Sequence, residues 1–113
     1  MQTNVATLSD RDMRDIADYF ASRKAVRGSF RLDAGKVARG RAKAEELKCA
    51  TCHMPDFSGK KEVPRLAGLD PYYTELQIVA FTAGKRPHPR IDGMSGISEQ
   101  AAENLAQYLA QLE

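Results

Sequence analysis

The sequence holds two cysteines and two histidines, no long apolar run, and no marked excess of either charge. Each shortage excludes something. No apolar stretch approaches the roughly 18 to 20 residues of a spanning helix, so nothing calls for direct membrane insertion. A formal net charge of +2 with 28% charged residues gives no electrostatic case for binding nucleic acid. The N-terminus lacks the basic region and apolar stretch of a secretory signal. At 113 residues the chain is long enough for one small domain. The apolar area such a domain buries is modest, so a bound group filling its centre would supply much of the core.

What is present is a series of helical patterns separated by Pro/Gly-rich connections. Leu8 to Lys24 reads as an amphipathic helix with Ser9 as N-cap and Met13, Ile16, Ala17 and Phe20 on one stripe. After a polar connection from Gly28 to Gly35, Lys36 to Cys49 is again helical, with Val37, Ala38, Ala42 and Leu47 as its apolar positions. Met54 to Pro71 contains Pro55, Gly59, Pro64 and Gly68, and predicts a loop. Pro71 is placed to open a helix reaching about Ala83, with Tyr73, Leu76, Gln77, Ala80 and Phe81 inward and Gly84 as its stop. Pro87, Pro89 and Gly93 mark a second loop that contains Met94, and a last helix runs from about Ser98 to Leu112. Its buried stripe is expected at Ala101, Ala102, Leu105, Tyr108, Leu109 and Leu112. The fold class is all-α, three to four helices enclosing the centre with an extra helix at the N-terminus.

Chemistry concentrates in five residues, C-A-T-C-H at Cys49 to His53. Two cysteines three apart allow a dithiol redox pair, half a zinc site, or two thioether attachment points. On one helical turn the thiols are spaced for the two vinyl groups of a porphyrin, and the imidazole of the next residue reaches the iron from the same face. A thioredoxin-like dithiol needs a strand before the motif and a helix after it, the reverse of this order. A zinc site needs a second ligand pair, and the other histidine, His88, stands between two prolines. One covalently attached haem c is the reading that fits, with Cys49 and Cys52 as attachment points and His53 as an iron ligand. Such attachment takes place outside the cytoplasm in bacteria, so a periplasmic location and an export signal upstream of Met1 are expected.

His53 would bind iron through Nε2, leaving Nδ1–H in need of an acceptor, and the carbonyl of Pro64 is the expected one. Met94 is the leading candidate for the sixth ligand, because its loop could drape across the haem and a thioether raises the reduction potential. The alternatives are that Met94 packs as an apolar plug, or that His88 binds instead and the potential is lower. Tyr72, Tyr73 and Phe81 either form plain core or wall the haem. Arg65, Lys85 and Arg86 are candidates to pair with the propionates, Arg86 first because it directly follows the helix stop.

The first and last helices resemble one another when offset by 89 residues, LSDRDMRDIADYFAS at Leu8 to Ser22 against ISEQAAENLAQYLAQ at Ile97 to Gln111. Any two amphipathic helices share such a pattern, but the match also fits a chain that opens on the closing helix of a preceding related domain. The division expected is therefore 1–32, N-terminal helix and linker, and 33–113, haem domain.

From about Asp33 to Glu113 the chain resembles a class I cytochrome c domain, most like one domain of the dihaem cytochromes c of the c-four type. The resemblance rests on Gly40, CATCH at Cys49 to His53, PRLAG at Pro64 to Gly68, YYTELQ followed by FTAGKR up to Arg86, Met94, and LAQYLAQ in the closing helix. It implies crossed first and last helices, His/Met ligation by His53 and Met94, Pro64 as the acceptor behind His53, and Tyr73 packed on the haem. Two departures stand out. Met54 occupies a position commonly Gly in that family. Residues 1 to 24 look like the end of a first haem domain, with Met1 near where its axial methionine would fall, yet no first haem motif is present.

Three functions follow. The first is a carrier, not an enzyme, passing single electrons in a respiratory chain from a quinol-oxidising complex to a terminal oxidase or reductase. Nine Lys/Arg between Arg23 and Lys48, against Asp33, Glu45 and Glu46, either steer an acidic partner or form a solvated face. The second is a haem-bearing subunit, or part of a larger oxidoreductase or dihaem cytochrome, that associates through the N-terminal helix. The third is a catalytic or sensory site, which requires an iron position left open by Met94.

Overall fold

The computed structural model describes residues 5–24, 26, 28–89 and 94–113. Met1 and Gly93, both singled out in the sequence, lie outside these. Among the described residues the helices follow in the order α1 Asp10–Ser22, α2 Ala34–Glu46, α3 Ala50–His53, α4 Pro71–Thr82 and α5 Glu99–Gln111. The described residues form no sheet, only an isolated bridge between Lys60 and Val63, and none of their helices is long and apolar enough to cross a membrane.

Side-chain caps set the helix starts. Asp33 accepts from the Lys36 N–H, Asp70 from that of Tyr73 with Pro71 just inside, and Ser98 from that of Ala101. In α1 the cap is reciprocal, because Ser9 Oγ accepts from Asp12 N–H while the Asp12 carboxylate accepts from Ser9 N–H at 2.9 Å. Two hydrogen bonds donated to that carboxylate, first from Ser9 Oγ–H at 2.6 Å and then from Ser9 N–H, hold the Asp12 carboxyl below the ordinary aspartate range.

α5 is the centre of the packing. Its most extensive contact is with α2, and its second with α4. The crossing with α2 works because residue 40 is glycine: a Cβ there would lie 2.0 Å from the Asn104 carbonyl oxygen and 2.7 Å from Tyr108 Cβ. Asp33 N–H donates to Gln107 Oε1 at 2.8 Å, and Lys36 pairs with Glu103 across the same crossing. α5 is buried beyond its expected stripe, taking in Asn104, Ala106 and Ala110, because it is flanked on two sides. In α2 the buried positions are Gly40 and Ala44, with Val37 and Leu47 half-buried, whereas Ala38 and Ala42, expected on the apolar face, are exposed. Small residues win the inner face because the helices approach so closely.

α4 meets α5 through residues its apolar pattern does not single out, Thr74 and Ile78, which are buried. Tyr73 and Leu76 lie outside that contact, while Gln77, Ala80 and Phe81 are half-buried. The helix is apolar on more than one side, and the pattern alone does not say which side meets α5.

α1 forms as expected, but it buries no residue. Met13, Ile16, Tyr19 and Phe20 are all exposed. Its amphipathic face therefore has no partner among the described residues.

Candidate haem site

The approach to the cysteine motif is set by how α2 ends. Lys48 takes a left-handed conformation (φ 54°), and Cys49 N–H reaches back to the Ala44 carbonyl at 3.1 Å. This six-to-one closure terminates the helix and turns the chain, a position usually given to glycine. One further turn, α3, closes with His53 N–H on the Cys49 carbonyl at 3.1 Å. Cys49, Cys52 and His53 stand at i, i+3 and i+4 and share a helix face. Cys49 is half-buried against the core and Cys52 is exposed.

The loop after α3 folds back to hold the imidazole. His53 Nδ1 lies 2.9 Å from the Pro64 carbonyl oxygen. A carbonyl can only accept, so Nδ1–H is the donor in this contact, and in the neutral ring Nε2 keeps its lone pair. Gly59 makes the approach possible: its N–H donates to the His53 carbonyl at 3.1 Å, its φ is 75°, and a Cβ would sit 2.5 Å from Arg65 N. Phe57 anchors the loop, buried edge-on against Tyr108 with its carbonyl accepting from Leu66 and Ala67. Gly68 N–H then donates to the Leu109 carbonyl at 2.9 Å, tying the loop to α5. Met54 has φ 71° and ψ 157°, a region that is essentially glycine territory. The departure from glycine at this position therefore leaves the turn intact but strained.

On the other side, Tyr73, Gln77 and Phe81 recur every four residues along one stripe of α4. Arg86 folds back on it, its guanidinium bonded to Gln77 Oε1 and 4.7 Å over the Phe81 ring. His88 packs edge-on to Phe81, with centroids 5.1 Å apart, and its ring centre is 6.4 Å from that of His53. Met94 is half-buried against the core, and its carbonyl accepts from Thr82 Oγ1 at 3.0 Å.

Cys49, Cys52, His53 and Pro64 thus come together. Arg86, Phe81 and His88 form a second cluster reaching the same imidazole. Tyr73 lies on that cluster's stripe of α4. Sequence reasoning passed over Gly59, although a glycine five residues before the acceptor proline was the available signal. It also gave His88 little weight, because nothing in the sequence places a Pro-flanked loop residue near His53.

Two thiols and one imidazole on a single turn, with the imidazole's far nitrogen hydrogen-bonded and apolar side chains of α4 left outward, fit a covalently held porphyrin. They define a c-type haem protein. A family profile for cytochrome c matches residues 37–113, and the chain belongs to that family. It is 30% identical to cytochrome c-554(547) of Halothiobacillus neapolitanus over 92 residues, which are 71% of this chain and 100% of that protein. Cytochrome c4 of Pseudomonas aeruginosa is 31% identical over 90% of this chain, which spans only 53% of that relative. Reduced cytochrome c4 from Pseudomonas stutzeri superposes with a TM-score of 0.81 at 28% identity, covering 96% of this chain and 64% of that one. The fold is that of class I cytochrome c, and the cofactor is haem c bound covalently through the cysteine pair.

Proposed function

We propose that this chain is a single-haem carrier that passes one electron at a time between redox proteins of a periplasmic respiratory chain and catalyses no reaction of its own. The observation that carries it is the turn from Cys49 to His53 with the Pro64 carbonyl on Nδ1. Cys49 and Cys52 form the thioethers, His53 binds iron through Nε2, and Tyr73 packs on the macrocycle. Haem supplies a one-electron couple at its iron. The protein holds the imidazole's orientation and tautomer through Pro64 and shields the site with the α4 side chains. Met94 would supply the facing ligand as a thioether, with the His88 imidazole as the alternative. Arg86 stands as the charge for a propionate. Residues 33–113 form the haem domain, and 1–32 are an appended helix and linker.

Partners are redox proteins such as a quinol-oxidising complex and a terminal oxidase or reductase, meeting the basic segment 23–48. In that segment Lys43 is engaged with Glu46, and Lys36 with Glu103. A second reading, a haem-bearing part of a larger or dihaem assembly, is favoured by the apolar face of α1, which has no partner among the described residues, and by the half-length match to cytochrome c4.

The test is haem that stays with the polypeptide after denaturation, together with a reversible redox titration whose slope is that of one electron. Extractable haem, or a two-electron slope, refutes the proposal. Gel filtration separates the two readings, since a carrier elutes as a monomer and a subunit associates.

A further inference from the structure

We propose that α1 is a self-pairing helix: two copies of this chain meet through it, antiparallel, about a two-fold axis that passes between Ile16 and Ala17. This rests on the second reading above and deepens it, by naming the partner as a second copy.

The first observation is an apolar face that the fold leaves bare. Met13, Ile16, Ala17 and Phe20 stand at i, i+3, i+4 and i+7 and share one side of α1. The helix buries no residue, and Phe20 is 67% exposed. A stripe of this kind in water carries a free-energy cost that a partner removes. Its length is that of α1, whose 13 residues span about 20 Å at a rise of 1.5 Å each. That is less than the ~800 Å² each side of a standard interface buries, so the pairing is weak and depends on concentration.

The second observation is the order of charge along that face. Asp10 and Asp12 lie in the first turn, while Arg23 is the C-cap and Lys24 follows it. Arg23 lies over the Tyr19 ring, 5.6 Å from its centre, which holds it at the border of the stripe. Arg11 and Asp15, away from the stripe, pair with one another at 3.8 Å. A parallel pair would set Asp10 against Asp10 and Arg23 against Arg23. An antiparallel pair centred between Ile16 and Ala17 brings position 10 opposite position 23, and position 13 opposite position 20.

Asp10 then meets the partner's Arg23, and Met13 meets the partner's Phe20 in a sulfur–aromatic contact. Ile16 meets the partner's Ala17, whose small side chain lets the two helices close. The two-fold axis makes each contact twice, and the opposed helix dipoles favour the same arrangement. Such an interface needs one patch that complements itself, and α1 has that property in both its apolar and its charged positions.

The test is sedimentation equilibrium of the haem-loaded chain over a range of concentrations, for the wild type and variants with unchanged haem spectra. The wild type is expected to pass from one chain to two as concentration rises, and no further. Ile16→Asp is expected to stay single throughout. Asp10→Lys and Arg23→Glu are each expected to weaken the pairing about tenfold, since each turns two attractions into two repulsions. The variant carrying both changes is expected to recover it. Loss of helix stability could not produce that recovery, because both changes oppose the helix dipole and together weaken α1 further. A wild type that stays single at every concentration overturns the proposal and the second reading together. Association that Ile16→Asp leaves intact, assembly beyond two chains, or a double variant weaker than either single one overturns the proposal alone.

Discussion

Replacing Gly40 by alanine tests the helix crossing on which the site is built. In an open helix the change stabilises, because glycine is about 1 kcal/mol less favourable than alanine. Here the new methyl would lie 2.0 Å from the Asn104 carbonyl oxygen, 2.6 Å from its carbon and 2.7 Å from Tyr108 Cβ. Carbon contacts are comfortable at about 3.5 to 4 Å, so α2 and α5 would have to part by roughly 1.5 Å. The carbonyl belongs to a helix backbone and has no rotamer to escape into. Overpacking of this kind typically costs about 1 to 3 kcal/mol, and a clash with backbone places the cost near 3. For a domain of this size each kcal/mol moves Tm by about 4 to 8 °C, so a fall of about 12 to 24 °C is expected. Thermal unfolding of the haem-loaded protein, followed by far-ultraviolet circular dichroism, measures it. Gly35→Ala is the comparison, since its Cβ would meet side-chain atoms only, Asp33 Oδ1 at 3.1 Å and Arg39 at 3.3 Å, so any fall in Tm should be much smaller. A Gly40→Ala protein as stable as the wild type would refute the close crossing.

Further outcomes are expected elsewhere. Met54→Gly relieves a backbone strain worth about 1 to 3 kcal/mol, less about 0.5 to 1 lost to glycine's flexibility when unfolded, so Tm should rise by a few degrees; a fall would show that the turn is not strained. Cys49→Ser with Cys52→Ser should release the haem on denaturing gels, whereas either change alone should leave it attached by one thioether. The Asp12 carboxyl titrates below its unfolded value, so its contribution to α1 is present above that value and lost as pH falls through the folded one. Asp12→Asn should remove this acid-dependent loss of helicity, read by circular dichroism against pH. Ile16→Asp should abolish any self-association seen in gel filtration while leaving the unfolding of the haem domain unchanged, because α1 buries nothing against it.

Much of the fold was legible because its signals are local. Ser9 caps α1 and Pro71 opens α4 as the pattern predicts, since such a signal needs only its own first turn. Burial was less legible. Thr74 and Ile78 rather than Tyr73 and Leu76 face α5, because α4 is apolar on several sides and only the neighbour decides which is covered. Ala38 and Ala42 are exposed for a related reason, as the glycine crossing fixes the rotation of α2.

The pentapeptide by itself determined the cofactor chemistry, because two thiols and an imidazole within five residues meet on one turn whatever surrounds them. The tertiary structure alone decided which distant residues come near that turn. His88 lies 35 positions from His53 and is brought to 6.4 Å by the return of the chain over Phe81, a contact between distant segments that no local pattern encodes. It also decided that α1, a sound helix by sequence, buries no residue, since partnership is a property of packing and not of amphipathic spacing.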